Sequence, residues 1–306
     1  MIQEKDVIAQ AQSGTGKTAT FAIGTLQLID TNINEVQALV LAPTRELAQQ
    51  IATVFKFLGE FIKVKVHVFI GGTAIKKDIQ NLEEGIHVVV GTPGRVQDML
   101  NKNFLKLSSL KVFVLDEADE MLSRGFLDSM KKVISFIPPE CRVCLFSATM
   151  PKEIVQLTTN FMNNPAKILV KNEQLTLEGI KQYYVILKKE WKIESLLDIY
   201  KGVDIAQAII YCNSKKSVEN LAEEMQKRGH MVSSIHSELP QIERDRVMKE
   251  FRAGATRVLI TTDLLARGID VYQVSIVVNY DLPQQKETYI HRIGRSGRFG
   301  RKGKFN

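Results

Sequence analysis

Short apolar runs that are rich in β-branched residues alternate with helix-like stretches along the chain. Continuous apolar runs separated by helical patterns are typical of a parallel sheet covered by helices on both faces. The first half therefore predicts an α/β domain. Its predicted strands are Val7–Gln10, Gln37–Leu41, Val66–Ile70, His87–Val90, Val112–Leu115 and Val143–Phe146.

The second half of the chain repeats this pattern. Its predicted strands are Ile180–Leu187, Ala208–Cys212, Met231–Ile235, Arg257–Ile260 and Val274–Val278. Between the halves, the segment 163–179 contains proline, asparagine and charged residues with little apolar periodicity, so we place a linker at 170–178. The sequence thus predicts two similar α/β domains in tandem, at 1–169 and 179–306, each a parallel sheet covered by helices.

A polar segment follows each predicted strand of the first half. These segments read AQSGTGKT, APTREL, GGT, GTPGR, DEAD and SAT in chain order. Ligands of open α/β sheets bind at the carboxyl ends of the strands, so we expect the six segments to converge on one edge of a sheet. In the second half, the corresponding segments include NSKK, HSELPQ, TTDLLARGID and YDLPQQ.

The segment SGTGKT lies between a predicted strand and the helical stretch TATFAIGTLQLI. Two glycines allow its backbone to turn so that N–H groups face a phosphate, and the start of the helix adds positive charge. Lys17 can then reach the β- and γ-phosphates, and the Thr18 hydroxyl can ligate Mg²⁺. The strict pattern has glycine where Ala11 stands. The predicted nucleotide-binding residues here are Ala11, Gln12, Ser13, Gly14, Thr15, Gly16, Lys17 and Thr18.

The run VFVLDEAD places carboxylates at the end of an apolar strand. Asp116 is positioned to hold Mg²⁺ through water, and Glu117 to orient or deprotonate an attacking water. Acids also stabilise helix N-termini, so an acidic helix start is the alternative, but the upstream phosphate loop favours the catalytic interpretation. No G-x-S-x-G elbow surrounds Ser147, so we expect Ser147 and Thr149 to form hydrogen bonds near the phosphate.

Phosphoryl transfer needs positive charge at the γ-phosphate, which an arginine often supplies. The segment HRIGRSGR carries His291, Arg292, Arg295 and Arg298 at three- and four-residue spacing, which places several of them on one helical face. If they complete the site, ATP lies between the two domains and its binding closes the cleft. A basic surface helix is the alternative for this segment judged alone.

Composition and charge limit the classes of function. With 44% apolar and 25% charged residues, the chain is typical of a soluble globular protein, and no apolar run approaches the roughly 18 residues of a membrane span. The polar start and the three cysteines favour an intracellular protein. The net charge of +7 falls mainly in the second half. It suits nucleic acid or nucleotide phosphate, although a solvated basic tail would produce it too.

Two of the cysteines, Cys141 and Cys144, form a C-x-x-C pattern that could indicate redox chemistry or half of a metal site. Both lie in an apolar run that predicts a strand, where positions three apart point to opposite faces. The sequence contains no second pair of cysteines or histidines that would complete a zinc site. We therefore interpret them as buried strand residues.

In family order, the segments AQSGTGKT, PTRELA, GG, TPGR, DEAD, SAT, QIER, TTDLLARGID, YDLP and HRIGRSGR resemble the signatures of DEAD-box RNA helicases. Longer stretches, including ILVKNEQLTLEGIKQYYV, are similar to the eukaryotic translation initiation factor four-A group. The resemblance implies two RecA-like domains, ATP and Mg²⁺ as cofactors, and RNA as the partner. The implied activity is ATP-dependent, local disruption of short RNA duplexes. An ATP-gated RNA clamp of the exon-junction type is the alternative, because it uses the same residues.

The resemblance also implies a role for each matching residue. The implied catalytic residues are Lys17, Glu117, His291, Arg295 and Arg298. Thr18 and Asp116 would hold the metal, and Asp270 would contact the ribose. Ser147 and Thr149 would couple the nucleotide site to RNA through Asp119. The implied RNA-binding residues are Pro43, Thr44, Arg45, Gly71, Gly72, Thr92, Pro93, Gly94, Arg95, Asn213, Gln241, Arg244 and Thr262.

These RNA-binding segments suit the nucleic-acid backbone rather than the bases. Threonine and arginine side chains and glycine amides bind phosphates and 2′-hydroxyls, which carry no sequence information. Aromatic residues make up only 7% of the chain, and none of these segments offers an aromatic platform for base stacking. We therefore expect little sequence specificity.

The resemblance carries expectations about the setting as well. We expect a monomer outside any membrane, in the cytoplasm with a scaffold protein of the initiation complex, or in the nucleus with one of the exon-junction complex. Family members carry a further adenine-recognising segment before the phosphate-loop strand, and another strand and helix after the RKGK segment. A truncated form with impaired ATP selectivity is therefore a further alternative.

Overall fold

The computed structural model describes residues 1–3, 5–123, 125–169, 180–203, 205–267, 271 and 274–296. The chain divides into two compact units, Met1–Leu175 and Thr176–Asn306. The predicted linker at 170–178 lies outside the described residues, so the domain bounds given above remain predictions.

The first unit is built on a sheet of seven parallel strands. The strands are β1 (Val7–Gln10), β2 (Ala38–Leu41), β3 (Val66–Phe69), β4 (Val88–Gly91), β5 (Val112–Asp116), β6 (Arg142–Ser147) and β7 (Ala166–Ile168). Their order across the sheet is β3-β4-β2-β5-β6-β1-β7. The helices are α1 (Lys17–Leu26), α2 (Arg45–Gly59), α3 (Ile75–Glu83), α4 (Pro93–Asn101), α5 (Ala118–Met121), α6 (Leu127–Ile134) and α7 (Lys152–Thr158).

Both faces of this sheet are buried, which explains why its strands read as continuous apolar runs. Successive side chains of a strand point to opposite faces. In β2, Leu39 and Leu41 join one apolar cluster, whereas Ala38 and Val40 join the other. The α/β architecture expected from the sequence is therefore confirmed in this unit.

The second unit contains a smaller parallel sheet in the order β11-β8-β10-β9. Its strands are β8 (Gln207–Tyr211), β9 (Val232–Ile235), β10 (Val258–Thr261) and β11 (Val274–Asn279). Its helices are α8 (Lys192–Gly202), α9 (Lys215–Lys227), α10 (Gln241–Arg252) and α11 (Lys286–Ile293). Across the part of the chain that the structure describes, no helix is both long and apolar enough to cross a membrane.

The strand predicted at Ile180–Leu187 is wrong. The described residues 180–188 contain no strand, and Tyr184 and Ile186 are 87% and 90% exposed. A cavity of about 390 Å³, lined by Tyr183 and Val277 among others, lies between this segment and β11. Ladder hydrogen bonds require strands about 4.8 Å apart, and here a cavity lies between the segment and the strand it would have to pair with.

The sequence patterns also missed β7. This strand has only three residues, all of them exposed, and it pairs with β1 at the edge of the sheet. An edge strand that contributes nothing to the buried core carries no apolar periodicity to detect. The other ten predicted strands are confirmed, with each end at most one residue from the predicted position.

The two cysteines of the C-x-x-C pattern are free and buried. Cys141 belongs to the apolar cluster on one face of the first sheet and Cys144 to the cluster on the other. Burial raises the pKa of each thiol to about 12, so both remain protonated at neutral pH. Their interpretation as buried strand residues is confirmed.

Candidate functional site

The polar segments at the carboxyl edge of the first sheet form two neighbouring groups. SGTGKT, DEAD and SAT follow or end β1, β5 and β6, which lie side by side in the order β5-β6-β1. APTREL, GGT and GTPGR follow β2, β3 and β4, which lie side by side in the order β3-β4-β2. The predicted convergence on one edge is confirmed. The sheet order also places the phosphate-loop group next to the group predicted to bind RNA, as two adjacent parts of one edge.

The phosphate loop has the backbone conformation that its glycines allow. Gly14 and Gly16 have φ of +80° and +92°, in the left-handed region, and α1 begins directly after Gly16. A Cβ on Gly16 would meet no atom within 4 Å, so glycine is needed there for its conformation rather than for space. Lys17 Nζ donates to the carbonyls of Ala11 at 2.7 Å and Gln12 at 3.1 Å. These hydrogen bonds hold the start of the loop close to the ammonium group.

Two buried carboxyl groups meet at the end of β5. Asp116 and Glu117 are 3% and 2% exposed, and the Glu117 N–H donates to Asp116 Oδ1 at 3.0 Å. Glu117 has a φ of +51°, a conformation that costs a non-glycine residue energy and that clusters at functional sites. Burial, with a smaller contribution from the Glu117 carboxylate, raises the pKa of Asp116 to about 7, although Lys17 opposes the shift. A cation bound nearby would stabilise the ionised form of these two carboxyl groups.

The predicted coupling residues form one hydrogen-bonded cluster. Asp119 on α5 accepts from Ser147 Oγ at 2.6 Å and from Thr149 Oγ1 at 2.5 Å, one hydroxyl on each carboxylate oxygen. The Thr149 N–H also lies 3.3 Å from Ser147 Oγ. The structure thus joins the DEAD segment to the SAT segment through side chains.

Gln10 belongs to this cluster and was missed by the sequence analysis. Its Nε2 donates to the carbonyl of Ala148 at 3.2 Å, and the Ala11 N–H donates to the carbonyl of Ser147 at 3.1 Å. These bonds fasten the start of the phosphate loop to the SAT segment. A buried amide that ends an otherwise apolar strand was the available signal.

The second group of segments packs tightly around the glycine pair after β3. A Cβ on Gly71 would lie 3.0 Å from Arg45 Nη2, so the guanidinium of Arg45 rests against the glycine backbone. Thr44 Oγ1 accepts from the Leu47 N–H at 3.3 Å and caps α2. Arg95 Nε donates to the carbonyl of Ile70 at 3.0 Å. Adjacent strand ends therefore bring together Pro43, Thr44, Arg45, Gly71, Gly72, Thr92, Pro93, Gly94 and Arg95.

In the second unit, the residues predicted to bind RNA follow three neighbouring strands. Asn213 follows β8, Thr262 follows β10, and α10 after β9 carries Gln241 and Arg244. Thr262 Oγ1 accepts from the Leu264 N–H at 3.5 Å, at the start of a short 3₁₀ turn. The strand order again places these residues along one sheet edge.

Arg292 organises this edge, a role that the sequence did not reveal. Its side chain is fully buried, and its Nε donates to Asp263 Oδ1 at 2.6 Å. Nη1 donates to the Asp281 carbonyl at 2.7 Å and lies 3.2 Å from Asn279 Oδ1, while Nη2 donates to Asn213 Oδ1 at 2.8 Å. One guanidinium thus connects α11 to the ends of β8, β10 and β11.

Of the other predicted residues in the HRIGRSGR segment, the structure describes His291 and Arg295. Arg267 Nη1 lies 2.8 Å from His291 Nε2, and Arg295 Nε donates to the His291 carbonyl at 3.1 Å. An arginine only donates, so His291 Nε2 accepts and the ring proton sits on Nδ1. Asp270 and Arg298 lie outside the described residues.

The first unit is a parallel α/β unit with a phosphate loop after β1 and a buried acidic pair at the end of β5, two strands away in the same sheet. Together with a second α/β unit, these features define a nucleoside triphosphatase of the two-unit helicase type. The DEAD/DEAH box helicase model matches residues 1–157, and the helicase conserved C-terminal domain model matches residues 191–300. The chain belongs to the DEAD/DEAH box helicase family.

Similar proteins narrow this assignment. The chain is 59% identical over 300 residues to eukaryotic initiation factor 4A of Caenorhabditis elegans, covering 98% of this chain and 75% of that protein. It is 56% identical over 304 residues to eukaryotic initiation factor 4A-III homolog A of Oryza sativa subsp. japonica, covering 99% and 75%. Among solved structures, S. cerevisiae Dbp5 bound to RNA and ADP BeF3 is 40% identical with a TM-score of 0.92, covering 98% and 78%.

These relatives confirm the helicase interpretation of the sequence. The chain is an eIF4A-like ATP-dependent RNA helicase, an enzyme that hydrolyses ATP, and its fold is that of the two-domain DEAD-box helicases. The similarity to initiation factor 4A is consistent with translation initiation and does not favour the RNA-clamp alternative.

Proposed function

We propose that this helicase uses Mg²⁺-bound ATP at the β5-β6-β1 edge to separate short RNA duplexes held at the β3-β4-β2 edge, as part of translation initiation. The observation that carries this proposal is the order of the first sheet, which sets the phosphate loop group beside the group predicted to bind RNA. Asp119 links the DEAD and SAT segments within the first group.

The residues present fit a magnesium ion. A buried carboxyl whose pKa is raised to about 7 lies beside a second buried carboxyl, and a cation would stabilise the ionised form of both. Hard oxygen ligands of this kind are those that Mg²⁺ prefers. We assign Thr18 and Asp116 to hold the metal. When bound, Mg²⁺ would neutralise phosphate charge during transfer.

The chain's own residues perform the remaining steps. Lys17 exchanges its two loop carbonyls for the β- and γ-phosphate oxygens. Glu117, held in a left-handed conformation, orients the attacking water and accepts its proton. We assign His291, Arg295 and Arg298 to stabilise charge on the transferred phosphate, and Asp270 to the ribose.

The proposed RNA contacts are to the backbone. Glycine N–H groups of the β3 and β4 loops and the Arg45 guanidinium suit phosphates and 2′-hydroxyls. Asn213, Gln241, Arg244 and Thr262 would serve the same purpose in the second unit. We further propose that the chain works in the cytoplasm as a monomer with a scaffold protein of the initiation complex.

ATP turnover with and without RNA tests this function. The full chain is expected to hydrolyse ATP faster when single-stranded RNA of arbitrary sequence is added. Turnover that RNA leaves unchanged would contradict the proposal. If the protein instead stays locked on RNA with a non-hydrolysable ATP analogue and turns over negligibly, the clamp function would replace it. Equal affinity for ATP and GTP would support impaired ATP selectivity.

Affinity for Mg²⁺-ATP is expected to fall as the pH falls. Metal binding needs ionised Asp116, whose pKa in the nucleotide-free protein is raised to about 7 by burial. Between pH 8 and pH 6 the ionised fraction drops from about nine-tenths to about one-tenth, which weakens binding about tenfold. Calorimetric titration in excess Mg²⁺ measures this change. Metal-free ATP in EDTA serves as the control, and equal Kd values for Mg²⁺-ATP at both pH values would contradict the assignment.

Removing the hydroxyls that bind Asp119 is expected to uncouple hydrolysis from strand separation. In the double variant Ser147→Ala/Thr149→Ala, both carboxylate oxygens lose a donor. A coupling free energy of about 1–3 kcal/mol corresponds to about a 5- to 150-fold fall in strands separated per ATP hydrolysed. Parallel assays of unwinding and phosphate release give this ratio. The control Ser135→Ala/Thr159→Ala removes two exposed hydroxyls, and an equal ratio in both double variants would refute the coupling role.

A further inference from the structure

A buried charged cluster lies directly behind the glycine turn of the proposed RNA edge. It consists of His67 on β3, Asp78 on α3 and Arg95 on α4, and we call it the turn-support cluster. Asp78 Oδ1 lies 2.9 Å from His67 Nε2, and Asp78 Oδ2 lies 3.3 Å from Arg95 Nε. The Asp78 side chain is only 3% exposed. Neither His67 nor Asp78 has a role in the function proposed above.

The guanidinium of Arg95 is directed at the protein's own backbone. Its side chain is 8% exposed, its Nε donates to the Ile70 carbonyl at 3.0 Å, and its Nη2 donates to the Thr73 carbonyl and to Thr73 Oγ1. Thr73 Oγ1 in turn donates to the Ile70 carbonyl at 2.9 Å. These hydrogen bonds hold the Ile70 and Thr73 carbonyls, which lie on either side of the turn that contains Gly71 and Gly72.

The turn itself needs this support. Gly72 has a φ of +85°, and glycine loses more conformational entropy than any other residue when it is ordered. Two consecutive glycines whose N–H groups are to meet RNA phosphates bind more tightly when the turn is already fixed before RNA arrives. Arg95 fixes the two carbonyls that flank the glycines.

Asp78 in turn fixes Arg95. An ionised carboxylate only accepts hydrogen bonds, so His67 Nε2 carries the proton and donates to Asp78. With one oxygen held by His67 and the other beside Arg95, the carboxylate plane is set. The contact with Arg95 is an ion pair rather than a hydrogen bond, since Arg95 Nε donates to the Ile70 carbonyl. The charge of Asp78 therefore acts on Arg95 electrostatically, drawing the guanidinium toward this position and offsetting the cost of burying it.

We infer that Asp78 is a positioning residue for RNA binding, which acts through Arg95 to preorganise the Gly71–Gly72 turn. This inference rests on the proposed function. It also changes the role of Arg95, whose side chain supports the turn from within while the glycine backbone and Arg45 face the RNA.

The test is the RNA dependence of ATP turnover in the variant Asp78→Asn. Without the negative charge of Asp78, the Arg95 side chain is no longer held in one orientation. The RNA concentration for half-maximal stimulation of ATP turnover is therefore expected to rise on the order of tenfold. The maximal rate at saturating RNA is expected to stay within about twofold, because the phosphate-loop edge keeps its contacts. The matched control is Asp98→Asn on the same helix as Arg95, which removes a partly exposed ion pair with Lys102.

A second variant and a double variant complete the design. Thr73→Val removes the hydroxyl between Arg95 and the Ile70 carbonyl without touching Asp78, and it is expected to raise the half-maximal RNA concentration too. If Asp78 acts through Arg95, adding Asp78→Asn to Arg95→Lys raises this concentration no further. A purely structural role would lower the maximal rate and the unfolding midpoint instead.

The outcomes separate the inference from the function on which it rests. An RNA-stimulated wild type, with half-maximal concentrations unchanged in Asp78→Asn, overturns the inference alone. Should Asp78→Asn fail to fold, Thr73→Val decides, and an unchanged half-maximal concentration in that variant overturns it. A wild type that RNA does not stimulate overturns the proposed function, and the inference falls with it.

Discussion

Replacing Glu117 with glutamine is expected to lower kcat for ATP hydrolysis by about 10²- to 10⁴-fold. Glutamine keeps the size of the side chain and the backbone N–H that donates to Asp116, but it cannot accept a proton from water. A residue that acts mainly in the transition state lowers kcat while ATP still binds. Steady-state phosphate release at saturating ATP and RNA measures the effect.

The Glu117→Gln variant is also expected to change the pH dependence of Mg²⁺-ATP affinity. The Glu117 charge contributes to the raised pKa of Asp116, so its removal is expected to move the pH midpoint of Mg²⁺-ATP affinity to lower pH. Glu153→Gln, an exposed acid in the first turn of α7, is the matched control and is expected to leave kcat unchanged. A Glu117→Gln enzyme that turns over at the wild-type rate would remove Glu117 from the mechanism.

Replacing Arg292 with methionine is expected to destabilise the second unit by about 2–4 kcal/mol. The substitution keeps an apolar stem of similar length but leaves acceptors on Asn213, Asn279 and Asp281 without their donor. Asp263 is 50% exposed and regains water, which keeps the cost below that of stranding a fully buried charge.

Denaturant unfolding followed by tryptophan fluorescence measures this loss. Trp191 is the only tryptophan of the chain and lies in the second unit. Arg246→Met is the matched control, since Arg246 forms exposed ion pairs with Glu243 and Glu250, and its unfolding midpoint is expected to match the wild type. Equal midpoints for the two variants would show that the buried network of Arg292 contributes no more than a surface ion pair.

The sequence predicted what short-range patterns encode. Apolar runs located ten of the eleven strands found among the described residues, because the parallel sheets are buried and their strands carry a continuous signal. The phosphate loop was predictable because a left-handed turn before a helix requires glycine at Gly14 and Gly16. The division of the sheet edge into two groups followed only from the strand order, which local patterns do not contain.

What escaped prediction depends on contacts between distant residues. Nothing near Asp78 in sequence indicates that it meets Arg95, and Arg292 reads as one basic residue among several until the strand ends come together around it. The error at Ile180–Leu187 has the same origin. A β-rich run becomes a strand only when a partner lies within hydrogen-bonding distance, and a cavity separates this one from β11.

Unwinding of a short RNA duplex by the full chain tests the central claim most directly. With Mg²⁺ and ATP, labelled strands are expected to separate faster than without nucleotide, at a rate that depends little on base sequence, and Glu117→Gln is expected to turn over ATP far more slowly. Strand separation that proceeds equally with and without ATP would contradict the account.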